Sequence, residues 1–478
     1  MTNPDKNAVR YFSVSVDGTG APQVSVETSS LEYTDELPAG YAEVEGIQAG
    51  ACTSELYYFG RRRQDAPSRF ESDLADHEKQ EYYLERNRLA GINSAPESIA
   101  RFKKVMNRSM FHEGFCRVTR AELAHRSALP LLMYVPLMVD GRLQFVRRIE
   151  ERTLEESLEP GRLAVRNPSY LCDRHSSATL INPDTGWPYQ CDRSLADGHE
   201  AKGTIGHTEF VGAAVAGLVR VPLSSLTPLP DQLQAFVEQD LKHRGVLLTL
   251  TEPLGCVFDA FGTMLERKET PRSVLIIGDG TSALNIVLFL QIHAPDAQVV
   301  VVGMHLEKLE GIRSLNPDHV AVLKTDGENL EDLPGLLRSH TGATQVDVVL
   351  PTVGVEKKRI DPYVETGGTL IWWAAEVSEL APALSVEGRY RERFPYGGAP
   401  HAEFSALALL EHLVLNRADV VKSYLEYPGF YAVSMDEKGA KDIDQWLTHE
   451  GRLEKTVMTS RGEEVISVKP IIELGDIT

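Results

Sequence analysis

The sequence predicts an α/β chain: a doubly wound parallel sheet of the Rossmann type, preceded by two β domains in tandem. Three observations lead there. A continuous apolar strand, a glycine turn and a helix follow one another in "SVLIIGDGTSALNIVLFLQ" from Ser273. Buried strands recur after it in "QVVVVG", "QVDVVLPTVG" and "ETGGTLIWWAA". Upstream, two segments of alternating apolar and polar residues, each ending in a cysteine, read as copies of one another.

The turn comes first. Gly278 and Gly280 permit a tight bend and close approach of a pyrophosphate to backbone, and Ala283 is small enough for helix to pack on strand. Thr281 and Ser282 open the helix, whose free N–H groups and positive dipole end favour phosphate. The third buried strand ends at Thr352, on the same edge of the sheet. Gly303 closes the second strand, 303 − 283 = 20 residues past the motif, where NAD enzymes usually carry an acid for the ribose 2′-hydroxyl. Glycine there leaves room for a 2′-phosphate, with His305 and Lys308 as nearby cations, so NADP is expected over NAD. A solvated Lys308 is the plain alternative, and Asp279, inside the turn, is expected to point to solvent.

The repeat sets "LPAGYAEVEGIQAGACTSELYYFG" beside "LEPGRLAVRNPSYLCDRHSS", with cysteines 172 − 52 = 120 residues apart. "MFHEGFCRV" then pairs with "IGHTEFVGAAV", His112 against His207. From cysteine to histidine the interval is 112 − 52 = 60 residues in the first copy and 207 − 172 = 35 in the second. A charged insertion, "RRRQDAPSRFESDLADHEKQEYYLERNR", accounts for the difference.

Together, "LTLTEPLGCVFDAF", the glycine turn and "VDVVLPTVG…GGTLIWWAA" resemble the medium-chain dehydrogenase/reductase superfamily, the zinc alcohol and polyol dehydrogenases and their zinc-free relatives. The resemblance implies GroES-like β domains and a nicotinamide cofactor. It also implies zinc ligands at Cys52, His112 and Glu113, with Ser54 relaying a proton and Glu55 orienting a ligand. The second copy supplies an alternative set in Cys172, His207 and Glu252, although Arg174, His175 and the threonine splitting its His-Glu pair depart from the family pattern. The expected domains are 1–157 and 158–255 (GroES-like), 256–400 (Rossmann) and a 401–478 segment returning to both.

Composition limits the partners. A net charge of −20 over 478 residues repels phosphate polymers and anionic membranes, and the resemblance implies a small-molecule substrate. Five cysteines without a C-x-x-C pair exclude a disulfide framework and a four-cysteine zinc lobe. "MTNPDKNAVRY" lacks the pattern of a secretory signal, so a cytoplasmic chain is expected, and family habit implies a homodimer. Three functional readings stay open: zinc-assisted hydride transfer on an alcohol or carbonyl, a zinc-free enoyl or quinone reductase, and a nucleotide-binding partner subunit.

Overall fold

A computed structural model of the chain describes residues 7–16, 22–52, 84, 90–122, 128–153, 158–166, 169–171, 202–204, 212–326, 330–373, 390–393, 400–449, 451–459 and 462–475. The N-terminal hairpin β1 (Ala8–Val16) and β2 (Pro22–Ser30) lies ahead of β3 (Tyr41–Gly50) and β4 (Glu113–Glu122), which pair antiparallel from Tyr41↔Glu122 to Gly50↔Glu113. A long hairpin, β5 (Ala128–Val139) and β6 (Arg142–Thr153), turns at Asp140-Gly141, both with positive φ, the signature of a tight two-residue turn. Then come β7 (Leu163–Arg166), the short pair β8 (Ser169–Leu171) and β9 (Lys202–Thr204), β10 (Val215–Ala216), β11 (Leu218–Pro222) and β12 (Leu226–Pro228).

The boundary expected at 157/158 does not separate two β domains among the described residues. β7 pairs with β4 (Phe115↔Val165), β11 pairs with β3 (Val219↔Val44), and β10 pairs with β1, so strands from both putative copies build common sheets. Among the described residues the β strands of both segments belong to one domain. The two segments look alike because both alternate apolar and polar residues along the sequence, and that pattern does not say whether they found separate sheets or pair with each other. Valines 44, 118, 219 and 221, with Ala164 of β7, are all fully buried in this shared interior.

Past β12 the helix α1 (Thr251–Arg267) leads into six parallel strands: β13 (Ser273–Ile277), β14 (Gln298–Gly303), β15 (Val320–Lys324), β16 (Val346–Pro351), β17 (Val364–Ile371) and β18 (Arg391–Arg393). Their spatial order, β15-β14-β13-β16-β17-β18, puts the reversal of winding at β13, between β14 and β16. A doubly wound sheet opens its binding crevice at that point, outside the carboxyl ends of the strands. The Rossmann expectation holds. Strands so rich in valine and isoleucine suit a parallel sheet because both of its faces are covered: one by α2 (Thr281–His293), α3 (Leu306–Arg313) and α4 (Pro400–Asn416), the other by the helix Leu333–Thr341.

The β5–β6 hairpin, expected in the first β domain, packs on helices of the nucleotide half. Phe145 stacks on Phe289 of α2 at 5.2 Å and meets Phe258 of α1 edge-on at 5.0 Å. The Tyr134 amide donates to Ser405 Oγ of α4 at 2.8 Å. The chain then returns to the β domain through β19 (Phe430–Ser434), β20 (Leu453–Thr459) and β21 (Gly462–Glu473), where β21 pairs with β3 at Ile471↔Gly50.

Candidate metal and nucleotide sites

Gly50 is the last residue of β3 and faces Glu113, the first of β4, so Cys52 and His112 sit just beyond the end of the same pair of strands. Successive side chains of a plain strand point to opposite faces, and two adjacent ligands need an irregularity to converge. Phe111, immediately before His112, supplies one: its φ is +68, a left-handed conformation that costs a non-glycine residue on the order of 1–3 kcal/mol. Burial holds it there. The Phe111 ring is fully enclosed and meets Trp446 edge-on at 6.0 Å, and its carbonyl accepts the Ala213 amide at 2.6 Å.

The outcome is a cluster in which ligand atoms of Cys52, His112 and Glu113 all lie within 4.8 Å of one another. His112 and Glu113 are 5% and 1% exposed. Lys469, from β21, donates to Glu113 Oε2 at 2.6 Å. This approach requires Gly50, because a Cβ there would lie 2.8 Å from both Glu113 Oε2 and Thr249 Cγ2. Thr249 in turn donates to Gln48 Oε1 at 2.8 Å, tying the end of β3 to the chain that enters α1.

Glu252 belongs with this cluster. The sequence grouped it with Cys172 and His207, yet it stands where the charges of Cys52, His112, Glu113 and Lys469 are all felt. Burial pushes its carboxyl upward, His112 opposes the shift, and Glu113 adds to it; Cys256 donates to its Oε1 at 3.5 Å. Burial likewise pushes the Cys52 thiol upward, with the Glu113 carboxylate reinforcing and His112 opposing. Glu403 of α4 carries the same sign: burial raises its carboxyl well above the usual range, Glu252 adds to that, and Thr227 donates to Oε2 at 3.1 Å. Its Oε1 is buried without a hydrogen-bond partner. Glu113 and Glu252 thus share the Lys469 ammonium while Glu403 stands near Glu252, an arrangement that a bound cation relieves. The thiol, imidazole and carboxylate set fits Zn²⁺, for which sulfur, nitrogen and oxygen donors are all suitable. Ser54, Glu55, Cys172 and His207 lie outside the described residues.

The nucleotide turn stands at the crevice. Gly278 has φ +128, and a Cβ on it would lie 2.1 Å from Thr352 Oγ1, so only glycine fits. Its amide donates to Val302 O at 2.7 Å, and the Thr352 amide to Ile277 O at 2.8 Å, which clamps the ends of β13, β14 and β16 together. A Cβ on Gly280 would meet nothing within 4 Å, so the space outside the turn is clear for a ligand. Thr281 and Ser282 start α2 without a side-chain cap, and Ala283 is fully buried against the sheet. Tyr424 joins the two sites: it donates to Asn285 Oδ1 of α2 at 2.6 Å, and the Glu113 charge reaches it.

Two expectations about the turn are overturned. Asp279 does not face solvent; it is 8% exposed and folds over Gly303. Lys308 is not a solvated lysine: it is 5% exposed, with Nζ 2.9 Å from Asp279 Oδ1. The room left by the missing side chain at 303 is filled by that carboxylate.

Sequence reasoning missed Lys469, Gly50 and Glu403. The Lys469 contact spans 356 residues, and no local pattern reports such a pairing. Gly50 offered a faint signal, a glycine ending an apolar strand two residues before a candidate ligand.

Neither a family model nor a curated protein matches the chain by sequence. Solved structures do match by shape. An alcohol dehydrogenase from Thermotoga maritima aligns over 97% of this chain and 99% of its own, with TM-score 0.57 and 13% identity. Galactitol-1-phosphate dehydrogenase from Escherichia coli aligns over the same shares, with TM-score 0.54 and 13% identity. A structure named as a short chain alcohol dehydrogenase from E. coli CFT073, solved with NADH, covers 98% of this chain and 99% of its own, with TM-score 0.53 and 12% identity. At such identities the likeness establishes the fold alone: a doubly wound parallel sheet joined to an antiparallel β domain, the architecture these structures share with the chain.

Proposed function

We propose that this chain is a nicotinamide-dependent oxidoreductase that moves a hydride between the cofactor and an alcohol or carbonyl of a small metabolite, with a zinc ion at Cys52, His112 and Glu113. The observation that carries the reading is the meeting of these three donors within 4.8 Å, in a fold whose other half presents an open glycine turn at the switch point of a parallel sheet. The similar structures named as alcohol dehydrogenases, one of them with NADH, support the same assignment.

The chain's own residues divide the work. Gly278 and Gly280 admit the pyrophosphate, and the uncapped start of α2 meets its charge. Cys52, His112 and Glu113 hold the metal, which when bound acts as a Lewis acid toward the substrate oxygen. Lys469 neutralises Glu113, and Gly50 keeps the space in which those two side chains touch. Glu252, at the start of α1, adds a buried carboxyl whose charge is coupled to His112 and Glu113.

Metal analysis combined with nicotinamide titration tests the proposal. The expected result is about one zinc per chain, lost in Cys52→Ala and His112→Ala, together with saturable binding of a reduced nicotinamide. Tight nucleotide binding without zinc would favour a metal-free reductase. Absence of nucleotide binding in the folded chain would remove every hydride-transfer reading.

A further inference from the structure

We propose that Asp279 selects the cofactor: its carboxylate occupies the place of a 2′-phosphate at the end of β14, so that the chain takes NAD(H) in preference to NADP(H). The inference rests on the nucleotide site proposed above and reverses the preference that Gly303, His305 and Lys308 suggest by sequence.

The donors are those a phosphate would use. Asp279 Oδ2 accepts the Met304 amide at 2.8 Å and the His305 amide at 2.7 Å, with His305 Nδ1 at 3.1 Å. Oδ1 lies 2.9 Å from the Lys308 ammonium. Two adjacent backbone N–H groups, an imidazole and an ammonium converging at the end of the second strand form an anion cradle. Here an internal anion already fills it. Burial works against ionisation of Asp279, but the His305 hydrogen bonds and the Lys308 charge outweigh burial and hold its carboxyl well below the usual carboxylate range. At working pH it is therefore an anion, and a 2′-phosphate entering the cradle would meet like charge, with both backbone amides already taken.

The glycine at 303 and the acid at 279 are one device. A Cβ on residue 303 would lie 2.5 Å from Asp279 Cβ and 2.7 Å from its Oδ2, so a side chain at 303 and the inward aspartate exclude each other. The carboxylate that NAD enzymes usually carry at the end of the second strand is delivered instead from the glycine turn. It reaches the same place from the opposite wall of the crevice. Tyr427, 3% exposed, anchors the turn by donating its hydroxyl to the Asp279 carbonyl. Oδ1 faces the ammonium and, as a carboxylate oxygen with two lone pairs, keeps capacity for a ribose 2′-hydroxyl.

The test uses the full chain and equilibrium binding rather than turnover. Calorimetric titrations with NADH and with NADPH are compared for the wild type, Asp279→Asn and Asp279→Ser, and 2′,5′-ADP is compared with 5′-ADP as a fragment control. The wild type is expected to bind NADH at least tenfold more tightly than NADPH and to prefer 5′-ADP. Both substitutions should shift the NADH/NADPH ratio at least tenfold toward NADPH, because the cradle loses its resident charge. The wild-type ratio is read on the unaltered chain, so it decides the matter even if a variant misfolds. Equal or tighter NADPH binding by the wild type overturns the proposal, as does a ratio unmoved by substitution. If neither nucleotide binds, the hydride-transfer reading falls as well, which separates that failure from a wrong preference.

Discussion

Lys469→Met probes the charge balance of the metal cluster most directly. The ammonium lies 2.6 Å from Glu113 Oε2, and the two side chains are 12% and 2% exposed. Removing one member of a buried ion pair strands the other, at a cost of about 3–5 kcal/mol. A divalent cation beside Glu113 supplies an alternative counter-charge, so the cost should shrink when zinc is bound. Lys469 would also oppose the ion, because an ammonium and a dication sharing the Glu113 carboxylate repel. A relief of about 1.4 kcal/mol makes zinc bind Lys469→Met about tenfold more tightly than the wild type. Two assays report the same coupling: denaturant unfolding with chelator and with excess zinc, and competition for zinc against a chromophoric chelator. Zinc affinity that is unchanged or weaker in the variant, or an equal stability loss in both conditions, would refute the reasoning.

Gly50→Ala should destabilise by about 1–3 kcal/mol through overpacking, since its Cβ would lie 2.8 Å from Glu113 Oε2 and Thr249 Cγ2. Zinc occupancy in the folded variant should fall with it, which metal analysis after dialysis measures. His293 is buried between the rings of Phe261 and Phe289, and burial lowers its pKa to about 4. The fold therefore favours the neutral ring. As pH falls from about 6.5 toward 4 the unfolded chain takes up a proton that the folded chain refuses, and about 3 kcal/mol of stability is lost across that window. His293→Leu should flatten this part of the curve of unfolding midpoint against pH, while above pH 7 the slope is unaffected.

Local chemistry made part of this protein legible from sequence alone. Gly278 and Gly280 could be identified because a strand, a turn that only glycine can make and a helix are contiguous, and so constrain one another within a few residues. Cys52, His112 and Glu113 are implied as ligands by the resemblance to the medium-chain dehydrogenases, and they do come together. The buried parallel strands announced themselves by unbroken runs of valine and isoleucine. For the turn and the buried strands the determining interactions lie close along the chain.

Tertiary structure decided what depends on pairing and on direction. Two alternating segments looked like two domains, but β7 and β11 join the sheet of β3 and β4, and strand partnership is a long-range choice that a period of two does not encode. Glu252 joined the Cys52 cluster because α1 begins beside the end of β3, a matter of packing between distant elements. The Asp279 side chain could point outward or inward from the same turn. Two amides, an imidazole and an ammonium at the far wall of the crevice drew it inward, over a glycine whose missing side chain leaves the space.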